Sequence, residues 1–330
     1  MEKNRYHSKS KLFWLLKITI TVIAYSYIYY RISDVWQMSD GSELFHSWNC
    51  QKTILLLTSI LLMIFNWLVE SFKWRSLILH IEHLSFLKSI KSVYIGITCA
   101  IFTPYRIGEY FGRPLLLSKK NRSSALFANI LGSISQNIVT VSMGIIGLLF
   151  YTLSPNQEDI LLSGILILLT ILVFILILLL FSLFFPSKLI SLIKKTGWFI
   201  SYYDKLIFLT KYTKSQLLYI LALSFSRYLI FFSQYFLLLH LFDIEISIKS
   251  AFTAISLSYV FLFSIPGVPI ADIGIRGSLA LFFIGAFSSN NLGILAASSS
   301  LWIINLAVPS IIGSFFLIQV KYTNKNSKKP

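Results

Sequence analysis

Thr103-Pro104-Tyr105-Arg106-Ile107-Gly108-Glu109-Tyr110-Phe111-Gly112-Arg113-Pro114 stands between two apolar runs. Two arginines, a glutamate, two glycines and two prolines here interrupt a chain that is otherwise largely lipid-soluble. Prolines and glycines break helices, and charges are not left bare in hydrocarbon. Broken, charged backbone at such a place is expected to line a cavity or a protein interior. A second stretch of the same character follows far downstream, Ser264-Ile265-Pro266-Gly267-Val268-Pro269-Ile270-Ala271-Asp272-Ile273-Gly274-Ile275-Arg276-Gly277.

The surrounding composition sets the solvent. The chain has 330 residues, 56% hydrophobic and 13% charged, with a mean hydropathy of +0.74. That is the profile of a polytopic membrane protein rather than a soluble fold. A net charge of +16 would suggest nucleic acid in a soluble protein. Here the bases sit in short stretches between apolar runs, so membrane topology accounts for them and no nucleic-acid partner is expected. Cys50 and Cys99 make neither a disulfide framework nor a metal set. The five histidines show no HExxH pattern; His80 and His83 alone are close, as on a polar loop. No phosphate-binding or dinucleotide glycine motif is present, so no nucleotide, metal or other cofactor is expected.

Working outward, apolar spans are expected at Leu12–Tyr30, Thr53–Val69, Ala125–Tyr151, Ile160–Phe185, Gln216–Phe242 and Leu292–Val320. The first is longer than a signal peptide's core and is read as a retained span. Loop bases alternate in density from one loop to the next, which by the positive-inside rule places both termini in the cytoplasm of a multi-pass protein of the bacterial inner membrane. The opening stretch has bases on both flanks, Lys91 before it and Lys119, Lys120 and Arg122 after it. The segment between therefore crosses twice or not at all. Its first arm, Ser92 to Pro104, gives roughly 20 Å of helix, short of a ~30 Å core. A re-entrant hairpin fits.

The expected fold is thus an all-α integral membrane protein of six full transmembrane helices plus two re-entrant helical hairpins. Residues 1–153 read span, span, hairpin (near 92–117), span; residues 154–330 read the same, with a hairpin near 250–288. Three crossings per half invert the second half, the usual build of carriers. Pro104, Gly108, Pro266, Gly267 and Gly274 are the expected helix breaks and hinges.

The candidate binding residues lie in and around the hairpins. Arg106 and Glu109 are three apart and Glu109 and Arg113 four apart, so a helix after Pro104 would put them on one face. They either pair among themselves as a closed tip or admit an anionic headgroup, which the planar arginine fork suits. Asp272 and Arg276, four apart, face the same alternatives. So does Arg227, placed deep in its span. Gln136, Asn137 and Asn305 are expected to bond between helices. Glu70 and Glu82, among bases at the membrane edge, are expected to be solvated.

Pro104-x-Arg106-x-Gly108-Glu109-x-x-x-Arg113, followed by Leu115-Leu116-Leu117, resembles the first signature of the lysylphosphatidylglycerol synthase transmembrane-region family, also called the flippase-like domain family. Pro266-Gly267…Ile273-Gly274-Ile275-Arg276 resembles its second signature, of Pro-Gly-Gly-x-Gly-x-Arg-Glu type. Val268-Pro269 interrupts the glycines, and Gly277 stands where that family commonly has Glu. Ser135-Gln136-Asn137 stands near where a Glu-Arg pair is usual. The resemblance implies a membrane module that moves lipids, or lipid-linked molecules, between leaflets. Full-length lysyl-lipid synthases carry a soluble aminoacyltransferase domain after the membrane part. This chain ends shortly after its last span, so it is expected to be no enzyme and to have no catalytic residues.

The expected function is translocation of a phospholipid or lipid-linked anion, with membrane lipids as partners and a lipid-modifying partner enzyme left open. Two other classes stay in view. One is a glycosyltransferase-like enzyme on a lipid-linked substrate, which would draw carboxylates from Asp34, Asp40 and Glu43. The other is a secondary carrier of a small anion. Substrate, driving force and oligomeric state are open.

Overall fold

The computed structural model describes residues 48–320 apart from 102, 153–158, 189, 192–202 and 266–271, together with positions 22, 26 and 29. Among the described residues every regular element is a helix. The main ones are α1 (Cys50–Leu77), α2 (Phe86–Ala100), α3 (Ile107–Gly112), α4 (Arg122–Thr152), α5 (Asp159–Phe184), α6 (Lys214–Leu241), α7 (Ile248–Ser264), α8 (Asp272–Ile284), α9 (Asn291–Trp302) and α10 (Val308–Gln319). Five helical stretches are long and apolar enough to cross a membrane: Cys50–Leu77, Lys119–Thr152, Ser163–Phe184, Lys214–Leu241 and Asn291–Gln319. The protein is a multi-pass membrane protein. The expected first span, Leu12–Tyr30, lies outside the described residues but for its three isolated positions.

Local chemistry explains where these helices begin. Asn49, Ser85, Thr213, Ser247 and Asn290 each accept a hydrogen bond from a backbone N–H in the first turn that follows. Thr213 and Gln216 form a reciprocal capping box, which satisfies two donors the helix itself cannot. The fifth long stretch is not uniform. A π turn at Ile303–Ala307 joins α9 to α10, just ahead of Pro309. Proline has no N–H, and its ring crowds the carbonyl four residues back, that of Asn305. A widened turn is one way a continuous helix absorbs that defect.

The arms around the two proline-rich stretches are short. α2 has 15 residues, α7 has 17 and α8 has 13, each below the ~20 that a crossing helix needs. The break in the first hairpin differs from expectation in one respect. Gly108 lies inside α3 and Gly274 inside α8, so neither is a helix break. The chain turns instead at Pro104–Arg106, where Tyr105 and Arg106 both adopt left-handed backbone (φ 52° and 58°). Gly108 is glycine for packing: a Cβ there would collide with the Cys99 carbonyl, and one at Gly112 would lie 2.9 Å from Gly96 Cα. Small residues let α3 fold back tightly onto α2. Pro266 and Gly267 lie outside the described residues.

α1 and α6 form the central antiparallel pair. At one end Lys52 Nζ meets Asp243 Oδ2 at 2.6 Å; at the other the Tyr212 hydroxyl donates to the Leu77 carbonyl. The hairpins interlock around this pair. α2 packs along α10, where Thr98 Oγ1 donates to the Ser310 carbonyl at 2.8 Å and Gly313 lies against Tyr94. α7 packs along α4, with Gly144 against Val260 and Gly147 against Ser256. α2 therefore leans on α10 and α7 on α4, over glycines in both cases.

Candidate functional site

Glu70 is the hub of the site. It lies on α1, which runs on to Leu77 rather than ending near Val69, so Glu70 and Lys73 belong to the buried part of a helix. Asn66, Glu70 and Lys73 sit at i, i+4 and i+7, one polar stripe facing inward. Glu70 is 2% exposed, which overturns the expectation of a solvated rim residue. Glu82 does lie in the loop after α1. It is nonetheless bound, accepting from the Ser118 backbone N–H and hydroxyl and from Asn121 Nδ2.

Three cations converge on the Glu70 carboxylate. Arg113 Nη1 reaches Oε1 at 2.6 Å, Lys73 Nζ reaches Oε2 at 2.9 Å, and Arg227 Nη1 also binds Oε2. Arg113 further pairs with Glu109, whose other oxygen holds Arg106 Nη2 at 3.1 Å. The sequence-level candidates Arg106, Glu109, Arg113 and Arg227 are thus brought together, around a carboxylate and a lysine that were not among them. The missed signal was periodic: no glycine, proline or cap interrupts the helix between Val69 and Leu77.

Neighbouring groups fix the geometry. Arg227 Nε donates to Asn66 Oδ1 at 2.9 Å and its guanidinium stacks over Trp67; Arg113 lies over Trp74. Trp74 Nε1 donates to Ser92 Oγ, which in turn donates to the Arg113 carbonyl. Lys73 Nζ lies 3.5 Å from both Gln136 Oε1 and Ser224 Oγ, so Gln136 does bond between helices. Asn305 does too, donating to Gln234 Oε1 at 2.8 Å. Gln234 continues the chain of bonds to the Ser59 carbonyl.

The electrostatics are lopsided. Four cations (Lys73, Arg106, Arg113, Arg227) face two carboxylates (Glu70, Glu109), a formal excess of two positive charges. Arg106 is largely exposed; burying each of the other ions costs several kcal/mol even after relaxation, which pairing must offset. Three buried donors at the cluster, Arg113 Nε, Asn66 Nδ2 and Trp67 Nε1, have no acceptor among the described residues. The arrangement can accept negative charge. Among the described residues no group of acids, histidines and cysteines could hold a metal ion.

The second hairpin contributes a smaller site. Arg276 Nε donates to Asp272 Oδ2 at 3.1 Å, and Trp302 Nε1 donates to the same oxygen at 2.8 Å. Asp272 and Arg276 thus pair with each other as their spacing suggests, apart from the Glu70 cluster. Arg106, 45% exposed at the first hairpin's tip, is close enough to act electrostatically on Asp272.

A family model for the lysylphosphatidylglycerol synthase TM region matches residues 14–313. No curated protein and no solved structure matches the chain significantly. The match spans both hairpins and the long helices described above up to residue 313, within α10.

Proposed function

Because the chain belongs to the lysylphosphatidylglycerol synthase TM region family, we propose that it passively translocates an anionic or amino-modified phospholipid, or a lipid-linked anion, between leaflets. The observation that carries this is the buried cation excess around Glu70, with three donors that have no acceptor among the described residues. A lipid phosphate supplies the missing charge and the missing acceptors together. Arginine forks bind its oxygens in pairs. In this reading Arg106 meets the headgroup first, Arg113 and Arg227 form the binding floor, and Glu109 competes with the phosphate for Arg106 and Arg113. That competition releases the cargo. Asp272 and Arg276 serve the opposite leaflet.

The interlocked contacts of α2 with α10 and α7 with α4 support an inverted repeat, 1–153 against 154–330, with the two hairpins re-entrant from opposite sides. Lys52 and Asp243 are then at the outer face of a bacterial inner membrane, and both termini are cytoplasmic. Membrane lipids are the partners, and an enzyme that modifies the cargo lipid would work upstream or downstream.

The test is exchange of labelled phospholipids between leaflets in proteoliposomes, comparing the wild type with Arg106→Ala. Hydrogen bonds to charged groups contribute about 1.5–3 kcal/mol, so exchange should slow by about tenfold or more in the variant. Equal exchange by both proteins would remove Arg106 from the path. No exchange of any common phospholipid by correctly folded wild type would count against translocation of such lipids.

A further inference from the structure

Glu109 already fills the place of an anion. Its carboxylate bridges two guanidinia, with Oε1 on Arg113 Nη2 and Oε2 on Arg106 Nη2 at 3.1 Å. The fit is incomplete on the inner side. In arginine, Nε–H and Nη2–H point the same way along one edge of the fork, which suits two oxygens of one anion. Glu109 takes Nη2 of Arg113, while Nε on the same edge is buried with no acceptor among the described residues. Glu109 is also the outer of the two acids. Its side chain is 17% exposed against 3% for Glu70, and its partner Arg106 is 45% exposed, so an entering anion meets Glu109 before Glu70.

Displacing Glu109 leaves a definite charge behind. Lys73, Arg113 and Arg227 are 2%, 2% and 9% exposed, and Glu70 would then be the one acid paired with them. That is an excess of two positive charges. A phosphodiester carries one negative charge, so it replaces Glu109 like for like and leaves one buried cation unmatched. A phosphate monoester carries about 1.5–2 negative charges at pH 7 and three acceptor oxygens. It cancels the excess and has oxygens for both the Nε/Nη2 edge of Arg113 and the Arg106 fork.

We propose that the Glu70 cluster selects a terminal phosphate monoester over a phosphodiester, with Glu109 as the built-in stand-in that the phosphate displaces. The inference rests on the reading of this cluster as the headgroup site and adds the class of headgroup. The monoester can end a lipid or belong to a soluble ester.

The test uses the full chain in detergent micelles at neutral pH, titrated with phosphatidic acid and with phosphatidylmethanol of the same acyl chains. The two lipids differ by a methyl group on the phosphate, hence in charge far more than in bulk. Wild type should bind phosphatidic acid about tenfold more tightly, the worth of one further hydrogen bond between charged groups. Lys73→Met lowers the excess left by Glu109 to one charge, so the preference should collapse. Glu109→Gln removes the competing anion and should tighten both lipids while keeping the preference. Equal wild-type affinity for the two lipids overturns the proposal, as does a preference undiminished in Lys73→Met. Should Lys73→Met fail to fold, Glu109→Gln decides: binding of phosphatidic acid no tighter than in wild type removes the stand-in. Glycerol phosphate is the competitor. If it displaces bound phosphatidic acid the site is open to soluble monoesters, and if it does not the source is the membrane; both results keep the site. If both lipids bind alike while exchange still depends on Arg106, translocation stands and monoester selection falls. If the preference holds and depends on Lys73 while no lipid is exchanged, the site stands and translocation falls.

Discussion

Arg227 of α6 and Glu70 of α1 are ion-paired across 157 positions of sequence. The same carboxylate holds Lys73 and Arg113, so one acid joins the central helix pair to the end of the first hairpin's second arm.

Glu70→Gln keeps the shape of that side chain and removes its charge. Three cations would then be buried with Glu109 as their remaining anion. Breaking a buried pair from one side costs about 3–5 kcal/mol, so the variant should melt well below wild type in the same detergent. A second change, Lys73→Met, removes one stranded cation and should recover part of the loss. If Glu70→Gln melts like wild type, Glu70 is not what neutralises the cluster.

Gly108→Ala and Gly274→Ala should part company. An added methyl at Gly108 runs into the Cys99 carbonyl, whereas at Gly274 it meets nothing within 4 Å. The first change should unseat α3 and lower the melting temperature. The second lies in a helix, where alanine is better than glycine by about 1 kcal/mol, and should be neutral or stabilising. Thermal unfolding of both variants gives the comparison, and similar losses would contradict it.

Tyr105 holds a left-handed conformation with its side chain largely exposed. For a non-glycine residue that backbone costs about 1–2 kcal/mol. Tyr105→Gly should relieve the strain and raise stability slightly. A stable variant with slowed lipid exchange would tie the strained tip to turnover; a destabilised one would show that the tyrosine ring packs against something essential.

Glu82 gives a pH prediction outside the membrane. Partial burial opposes its charge, but donors from Ser118 and Asn121, with Lys120 nearby, outweigh that and hold the carboxyl below its ordinary value of 4.5. A carboxyl lowered on folding stabilises the protein above its unfolded pKa, and that contribution is lost as pH falls through the folded value. Wild type should therefore out-melt Glu82→Gln at neutral pH by a small margin, with the gap closing below about pH 4.5. A gap independent of pH would mean that the charge is not involved.

The two native cysteines test sidedness. Cys50 is exposed at the start of α1 and Cys99 is buried under α3. A membrane-impermeant maleimide applied outside intact cells should label Cys50 and spare Cys99 until the protein is unfolded. Labelling of Cys50 only after the inner face is opened would invert the proposed orientation.

The sequence and the structure agree where solvent chemistry is strong. Hydropathy located the long helices other than α1 within a few residues, and Pro104 with its neighbours located the turn of the first hairpin. The spacing of Arg106, Glu109 and Arg113 foretold their pairing. Sequence and structure disagree where a charge suggests water. Glu70, Lys73 and Arg75 look like the end of a span, yet the helix continues through them because nothing there disrupts it. Only the folded chain supplies Arg113 and Arg227, which make burial of Glu70 affordable, and no spacing along the sequence encodes that meeting.

The packing of α2 on α10 also sets an order in time. Thr98 bonds to a carbonyl 212 residues later, so during synthesis the first hairpin has no final resting place until the last helix has left the ribosome. Until then its arginines and Glu109 must be sheltered by water, lipid headgroups or the insertion machinery. The chain thus closes from its far end, and a truncation that removes α10 should leave the earlier helices inserted but the first hairpin unseated.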